Sequence, residues 1–218
     1  MKRALVVIAA GFMLASIAWG GVVEKAKPYL SVLQEALTDY WPSCPMAAFI
    51  CGQVENESGW NPHATLKTSR ELGRGLTQPT IAYDSHGHER FNAFKDAMGY
   101  KAMRGWNWKA DPYNVKYQLR LLVLRDRDAF AQIRKHCVND QEAAKGAGVI
   151  YNAGEGRWMN RHTRAIVKGL PADRWTGGLE LAYSDKEKAL LYGEPLYQAV
   201  NRYPRRISEL STKYQGQI

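Results

Sequence analysis

The 218-residue chain has no glycine-rich phosphate loop, no nucleophile elbow and no strong zinc-ligand spacing, so three common kinds of active centre lack their signatures. His86, Gly87 and His88, flanked by Asp84 and Glu89, come nearest to a metal cluster, but their spacing reads as a polar loop; no metal and no cofactor is expected. No internal repeat or low-complexity linker divides the chain, and its length suits one core with a terminal appendage. Basic residues are not gathered into a tract. Lys and Arg number 30 against 21 Asp and Glu, a net +9, which suits an anionic partner without choosing among nucleic acid, anionic lipid and the carboxylate-bearing cell wall. No nucleic-acid reader motif accompanies the charge, so no nucleic-acid partner is expected.

Cysteine is scarce as well. Cys44, Cys51 and Cys137 form an odd set, which leaves at least one unpaired. On one continuous helix Cys44 and Cys51 would lie about 10 Å apart, too far for a bridge. The expected pairing is therefore with Cys137, taken as Cys51–Cys137, and three unpaired buried cysteines are the alternative.

What is present begins at the N-terminus. Lys2 and Arg3 precede residues 4–23, a stretch with no charge and no proline. A basic start followed by an apolar run is the layout of an export signal or a signal anchor. The run just reaches the roughly 20 residues a spanning helix needs. Alanine and glycine make it weakly apolar, and Ser16, Ile17 and Ala18 resemble a small-x-small cleavage site. Residues 1–23 are thus read as a signal peptide or anchor helix, and 24–218 as the working domain facing outward.

Periodicity of three and four predicts helices from Pro28 to Trp41 and over 46–58, 115–137, 141–151, 161–168 and 185–201. The 115–137 helix has Leu119, Leu122, Val123, Phe130 and Ile133 on its apolar side. Residues 65–111 read as loops with short helical or strand pieces. The fold class is mainly α: a helical domain with long loops, preceded by an N-terminal apolar helix.

Within 46–58, Met46, Phe49, Ile50, Gln53, Val54 and Glu57 share one helix face, while Glu55 lies about 200° around from Glu57 and is expected to point outward. Glu57 thus emerges beside the core at a helix C-terminus. Burial and the helix dipole both disfavour an anion there, so its carboxyl is expected to keep its proton, as a general acid requires. A solvated glutamate at a frayed helix end is the alternative from this helix alone.

Three segments change that balance. Glu57, Ser58, Gly59, Trp60, Asn61 and Pro62 run in succession; Gly73, Arg74, Gly75, Leu76, Thr77 and Gln78 follow; Tyr151, Asn152, Ala153, Gly154, Glu155 and Gly156 come much later. Together and in this order they resemble the signature of the lytic transglycosylase and goose-type lysozyme superfamily: a Glu-Ser pair before an aromatic, a Gly-Leu-x-Gln turn and a Tyr-Asn-Ala-Gly segment. The resemblance covers residues 46–157. It implies a lysozyme-like helical fold over a glycan cleft, with peptidoglycan strands as substrate. Glu57 would be the catalytic acid and then base, and Ser58 would lie beside the substrate. Gly73 and Gly75 would let the backbone approach the sugar, Gln78 would contact the glycan, Tyr151 would orient Glu57, and Asn152 would bind near an N-acetyl group. Thr77 departs from the pattern, where an apolar residue is common. Between Gln78 and Tyr151, His86, His88, Phe91, Phe94, Tyr100, Trp106 and Trp108 form either a sugar-stacking lobe or a local mini-core.

The chemistry then divides. A hydrolase needs a second carboxylate, for which Glu71, Asp84 and Glu89 are the nearby candidates. The transglycosylase route, as the resemblance implies it, needs none: Glu57 protonates the MurNAc–GlcNAc bond, the acetamido group assists, and a 1,6-anhydro sugar forms. That route is the expectation, with a hydrolytic muramidase as the alternative. The weakly apolar N-terminus resembles those of phage signal-arrest-release endolysins, which implies export to the periplasm, contact with the inner membrane through residues 4–23, and host lysis. A wall-remodelling enzyme of a secretion or conjugation system is a second setting, and a non-enzymatic wall-binding protein is the other functional class.

Overall fold

The computed structural model describes residues 19–191 and 193–218. Residues 4–18, which carry most of the expected signal or anchor, lie outside them. The protein is mainly helical with a small sheet. Among the described residues no helix is long and apolar enough to cross a membrane. The stretch 24–218, expected as one domain, divides into two compact units: residues 19–124 with Leu210–Ile218, and Arg125–Glu209.

In the first unit α1 spans Trp19–Tyr40 and α2 spans Ala47–Ser58. The predicted start at Pro28 is corrected, because Pro28 lies inside α1. Ala26, Leu33 and Leu37 are buried at helical spacing on both sides of it. An interior proline costs about 3 kcal/mol in lost hydrogen bonding and ring clash, an amount that burial of two leucines offsets.

Residues 65–111 hold the short strand and helical pieces expected there, and the strands join into one sheet. They contain an antiparallel meander, β1 (Thr65–Lys67), β2 (Glu71–Arg74), β3 (Thr80–Tyr83) and β4 (Glu89–Asn92), in that order. The register Leu66↔Gly73, Gly73↔Thr80, Glu71↔Ala82 and Ala82↔Phe91 puts these residues on one face of the sheet. The short helix α3 (Ala93–Ala97) follows, with Asn92 accepting from the N–H groups of Phe94 and Lys95 as its cap. Phe94, Met103 and Trp106 are buried with Ile81, Leu121 and Leu124, and Phe94 packs on Trp106 and Trp108 with ring centroids 5.2 and 5.1 Å apart. These aromatics make a mini-core.

The chain passes between units inside α4 (Val115–Ile133) and again inside α7 (Leu196–Ser211). All five apolar positions predicted for α4 are buried, and Arg134–His136 continue as a single 3₁₀ turn. The second unit adds α5 (Asp140–Ala153) and α6 (Glu155–Val167), whose apolar sides meet Trp175, Leu179 and Val200. The helix predicted over 185–201 is corrected to a 3₁₀ turn at Asp185–Lys188, a two-residue hairpin of β5 (Leu190–Leu191) and β6 (Glu194–Pro195), and then α7. Gly193, with φ of 88°, makes the hairpin turn that interrupts the helical pattern.

Glu187 organises this unit. Its Oε1 accepts from Arg157 Nη1 at 2.8 Å and from Arg161 Nη2 at 2.8 Å, while Oε2 accepts from the Ser184 N–H at 2.9 Å. Arg161 is fully buried, donates also to Asn201 Oδ1 at 2.6 Å, and lies 5.0 Å over the Trp175 ring. Burial alone would raise the Glu187 pKa, but the Arg161 charge, the Ser184 N–H and Arg157 hold it below the ordinary value. Its ionised form therefore contributes stability in full above the unfolded-chain value of 4.5, and that contribution is lost as pH falls through the lower folded value. Removing one partner of a buried pair strands the others, so Glu187→Ala should cost about 3–5 kcal/mol. Urea midpoints at neutral pH read this loss, and the variant's stability should fall less steeply than the wild type's on acidification below pH ~4.5.

Candidate active site

Helix α2 is buried around most of its circumference, polar residues included. Met46, Phe49, Ile50, Gln53, Val54 and Glu57 are all buried, as their shared face predicts, with Glu57 8% exposed. The opposite side is covered too. Cys51 is fully buried, and the Glu55 side chain, expected in solvent, is 8% exposed. Glu55 receives Lys213 Nζ at 2.6 Å and the Tyr214 hydroxyl at 2.6 Å, both from the C-terminal segment. The outward reading of Glu55 is thus corrected, and its cause is a partner more than 150 residues away in sequence.

The chain leaves α2 through Gly59 in the left-handed region, whose N–H bonds the Glu55 carbonyl at 2.8 Å. Trp60 is also left-handed, at φ 62°, and is 2% exposed. A non-glycine residue in that conformation stores about 1–3 kcal/mol and persists only where its surroundings fix it. Its indole N–H donates to the Tyr214 hydroxyl at 2.8 Å, and its ring lies parallel to Tyr29 of α1 at 6.3 Å. The Ser58 hydroxyl donates back to the Val54 carbonyl at 3.2 Å, within the helix.

The Gly73–Gln78 segment is fixed by the protein's own amides. Gly75 has φ 76°, and a Cβ there would meet Gln118 Nε2 at 2.1 Å. Gln118, fully buried in α4, donates to the carbonyls of Arg74 at 3.2 Å and Pro112 at 2.6 Å, and accepts from the Thr77 N–H at 3.2 Å. The space expected to admit sugar at Gly75 therefore holds Gln118. At Gly73 the corresponding space holds the Gln78 side chain, whose Oε1 lies 2.5 Å from an ideal Cβ position. Gln78, itself left-handed at φ 48°, donates to the carbonyls of Gly75 at 2.7 Å and Ala64 at 3.2 Å. It is 4% exposed, and its Oε1 has no protein partner. The departure at Thr77 also finds its reason: its hydroxyl donates to the Gln118 carbonyl at 3.5 Å, so a polar residue suits this turn. Gln118 escaped the sequence reading, although a glutamine four residues before Leu122, on a helix face that is otherwise apolar, was a signal for it.

The three candidate second carboxylates differ. Asp84 accepts from the N–H groups of His86 at 2.8 Å and His88 at 2.9 Å, and these bonds, that of His88 foremost, hold its pKa low. Glu89 is held low by Lys95 at 2.6 Å and Asn92 at 2.8 Å. Glu71 is 5% exposed, and burial raises its pKa against the opposing charge of Arg90.

Glu57, Ser58, Gly75 and Gln78 belong to the first unit. Tyr151 and Asn152 belong to the second, in the last turn of α5, and are 7% and 5% exposed. The Arg125 guanidinium lies 4.8 Å over the Tyr151 ring. The expected Cys51–Cys137 disulfide is corrected, since both are free thiols. Cys51 faces the core from α2, and burial pushes its pKa up to about 12 and that of Cys137 up to about 11, so both stay protonated. Among the described residues no three His, Cys, Asp or Glu side chains converge as metal ligands.

Comparison with known proteins adds no assignment: no protein-family model and no curated protein matches the chain. The site rests on its own geometry. Gly75→Ala would force a Cβ into Gln118 at a backbone angle that alanine resists, and should cost about 1–3 kcal/mol. Chemical denaturation reads that loss. Gln118→Ala alone strands the Arg74 and Pro112 carbonyls and the Thr77 N–H and should itself be destabilising, but the Gly75→Ala/Gln118→Ala double variant should lose less than the sum of the two, because the clash is gone.

Proposed function

We propose that the protein cleaves the MurNAc-β-1,4-GlcNAc bond of peptidoglycan with Glu57 as acid and then base, as a lytic transglycosylase. The observation that carries this reading is a carboxylic acid 8% exposed on the last turn of a buried helix, followed by a left-handed turn. Low exposure and the C-terminal dipole both favour the protonated form needed to give a proton to the leaving glycosidic oxygen. The order of the Glu-Ser, Gly-Leu-Thr-Gln and Tyr-Asn-Ala-Gly segments supports the same assignment by resemblance.

The transglycosylase branch is favoured over hydrolysis by the state of the other carboxylates. A base that activates water must be ionised and free to accept a proton. Asp84 and Glu89 are ionised but engaged within their own loop, and Glu71 is disfavoured as an anion. With none of these three ready as a base, the substrate's acetamido group supports the developing positive charge. Glu57, having lost its proton, takes one from the C6 hydroxyl, which closes the 1,6-anhydro ring. By the same resemblance alone, Ser58 and Gln78 of the first unit and Tyr151 and Asn152 of the second are assigned to substrate, and the lysozyme-like fold goes with this reading. Residues 1–23 act as signal or anchor, placing the enzyme on the periplasmic side of the inner membrane, where it serves host lysis.

Digestion of purified peptidoglycan, with products identified by mass, tests this function. Wild type should release 1,6-anhydro-MurNAc ends, and Glu57→Gln should lower the rate about 10²–10⁴-fold. Reducing ends would assign the final step to water, and undiminished cleavage by Glu57→Gln would overturn the assignment.

A further inference from the structure

The C-terminal segment reaches the helix that carries Glu57 from the side opposite to it. Glu55 and Glu57 project about 200° apart on α2, so whatever grips Glu55 holds the helix from behind the acid. Lys213 Nζ takes Glu55 Oε1 at 2.6 Å, and the Tyr214 hydroxyl donates to Oε2 at 2.6 Å. The same hydroxyl accepts the Trp60 indole N–H at 2.8 Å. Tyr214 is fully buried, and burial with the adjacent Glu55 raises its pKa, so the phenol remains a donor. One side chain thereby ties two points on the chain, residues 55 and 60, with Glu57 between them. Tyr29 of α1 closes the other side of Trp60 with its ring parallel, at an interplanar angle of 4°.

We propose that Tyr214 and Lys213 are positioning residues for the reaction, fixing the last turn of α2 and the left-handed Trp60 so that the Glu57 carboxyl keeps its direction. This rests on Glu57 being the acid. Two features separate it from general packing. The hydroxyl bridges rather than caps, since it both accepts and donates. The turn it secures is strained, with Trp60 at φ 62°, so releasing the indole frees the backbone three residues after the acid to relax. A carboxyl that swings away from the glycosidic oxygen loses rate without losing substrate affinity.

Tyr214→Phe keeps the ring and removes the bridge. In the full chain, at a temperature where both proteins are folded by circular dichroism, it should lower kcat about tenfold and leave KM within about twofold. Lys213→Met should lower kcat in the same way, and Lys213→Arg should restore most of it. The kcat–pH profile of Tyr214→Phe should shift on the limb that reports the acid, which lost packing alone would not move. If Tyr214→Phe does not fold, the Lys213 pair decides. Wild-type kcat in the folded Tyr214→Phe or Lys213→Met protein overturns the positioning role while leaving Glu57 as the acid. A wild type that cleaves no glycan, or a Glu57→Gln variant that cleaves it fully, overturns the Glu57 assignment and this inference with it.

Discussion

Helix α2 is enclosed on nearly every side, and while the buried amides of Gln53 and Asn56 have no protein partner, the acidic side chain of Glu55 has two. Much of the first unit follows from that enclosure. The Glu55 side chain, only 8% exposed, needs polar partners of its own, and Lys213 and Tyr214 of the C-terminal segment meet it. Tyr214 then supplies the acceptor for the Trp60 indole, which holds a left-handed turn, and Tyr29 of α1 covers that indole. The helix that carries the proposed acid is thus braced by α1 and by the last nine residues at once. Enclosure also keeps Cys51 a protonated thiol, the less reactive form.

The same rule of internal satisfaction shapes the turn that follows the acid's helix. A tight turn buried beside a helix exposes N–H and carbonyl groups that cannot reach water. Gln118 meets two of them, the Thr77 N–H and the Arg74 carbonyl, and also holds Pro112, while Gln78 meets the Gly75 carbonyl and reaches back to Ala64. Glycine at 73 and 75 is what makes room for those amides. In the second unit Glu187 plays the corresponding part for charge: one carboxylate gathers Arg157 and Arg161 and caps its own turn through Ser184. Both arrangements are specific in geometry and intolerant of partial loss, because each partner left behind would be buried without a counterpart.

Helical spacing made the Glu57 face and the α4 core readable, since both depend on residues three and four apart. What could not be read depends on distant partners. Glu55 looks like a solvent-facing residue until Lys213 arrives, and Gln118 looks like an ordinary helix glutamine until the turn some 40 positions earlier is folded over it. Short strand pieces were expected over 65–111, but their pairing into a sheet escaped for another reason. Its strands are three or four residues long and carry Glu71 and Gly73 at buried positions, so neither alternation nor strand propensity had room to show. The ambiguity over the aromatics of 86–108 was resolved by packing alone: Phe94 and Trp106 are interior, whereas His86 and His88 stay at the surface. Site residues taken from a motif kept their positions but changed their neighbours, as the two glycines show.

That change bears on how a single acid could serve both proton transfers in the proposed reaction. An acid that must return as a base needs a carboxyl whose direction is the same before and after it loses its proton. Ionising a buried carboxylate creates a charge the surroundings resist, and a loose helix end would answer by turning the group toward solvent. Here the backbone on both sides of Glu57 is held by bonds that do not involve its own carboxyl, through Glu55 on one side and Trp60 on the other. The anion, once formed, then stays in place and regains neutrality by taking the C6 proton. A rigid enclosure, with Asp84 and Glu89 engaged in their own loop and Glu71 disfavoured as an anion, thus favours ring closure over hydrolysis in the proposed reaction, and links the brace behind α2 to the proposed product.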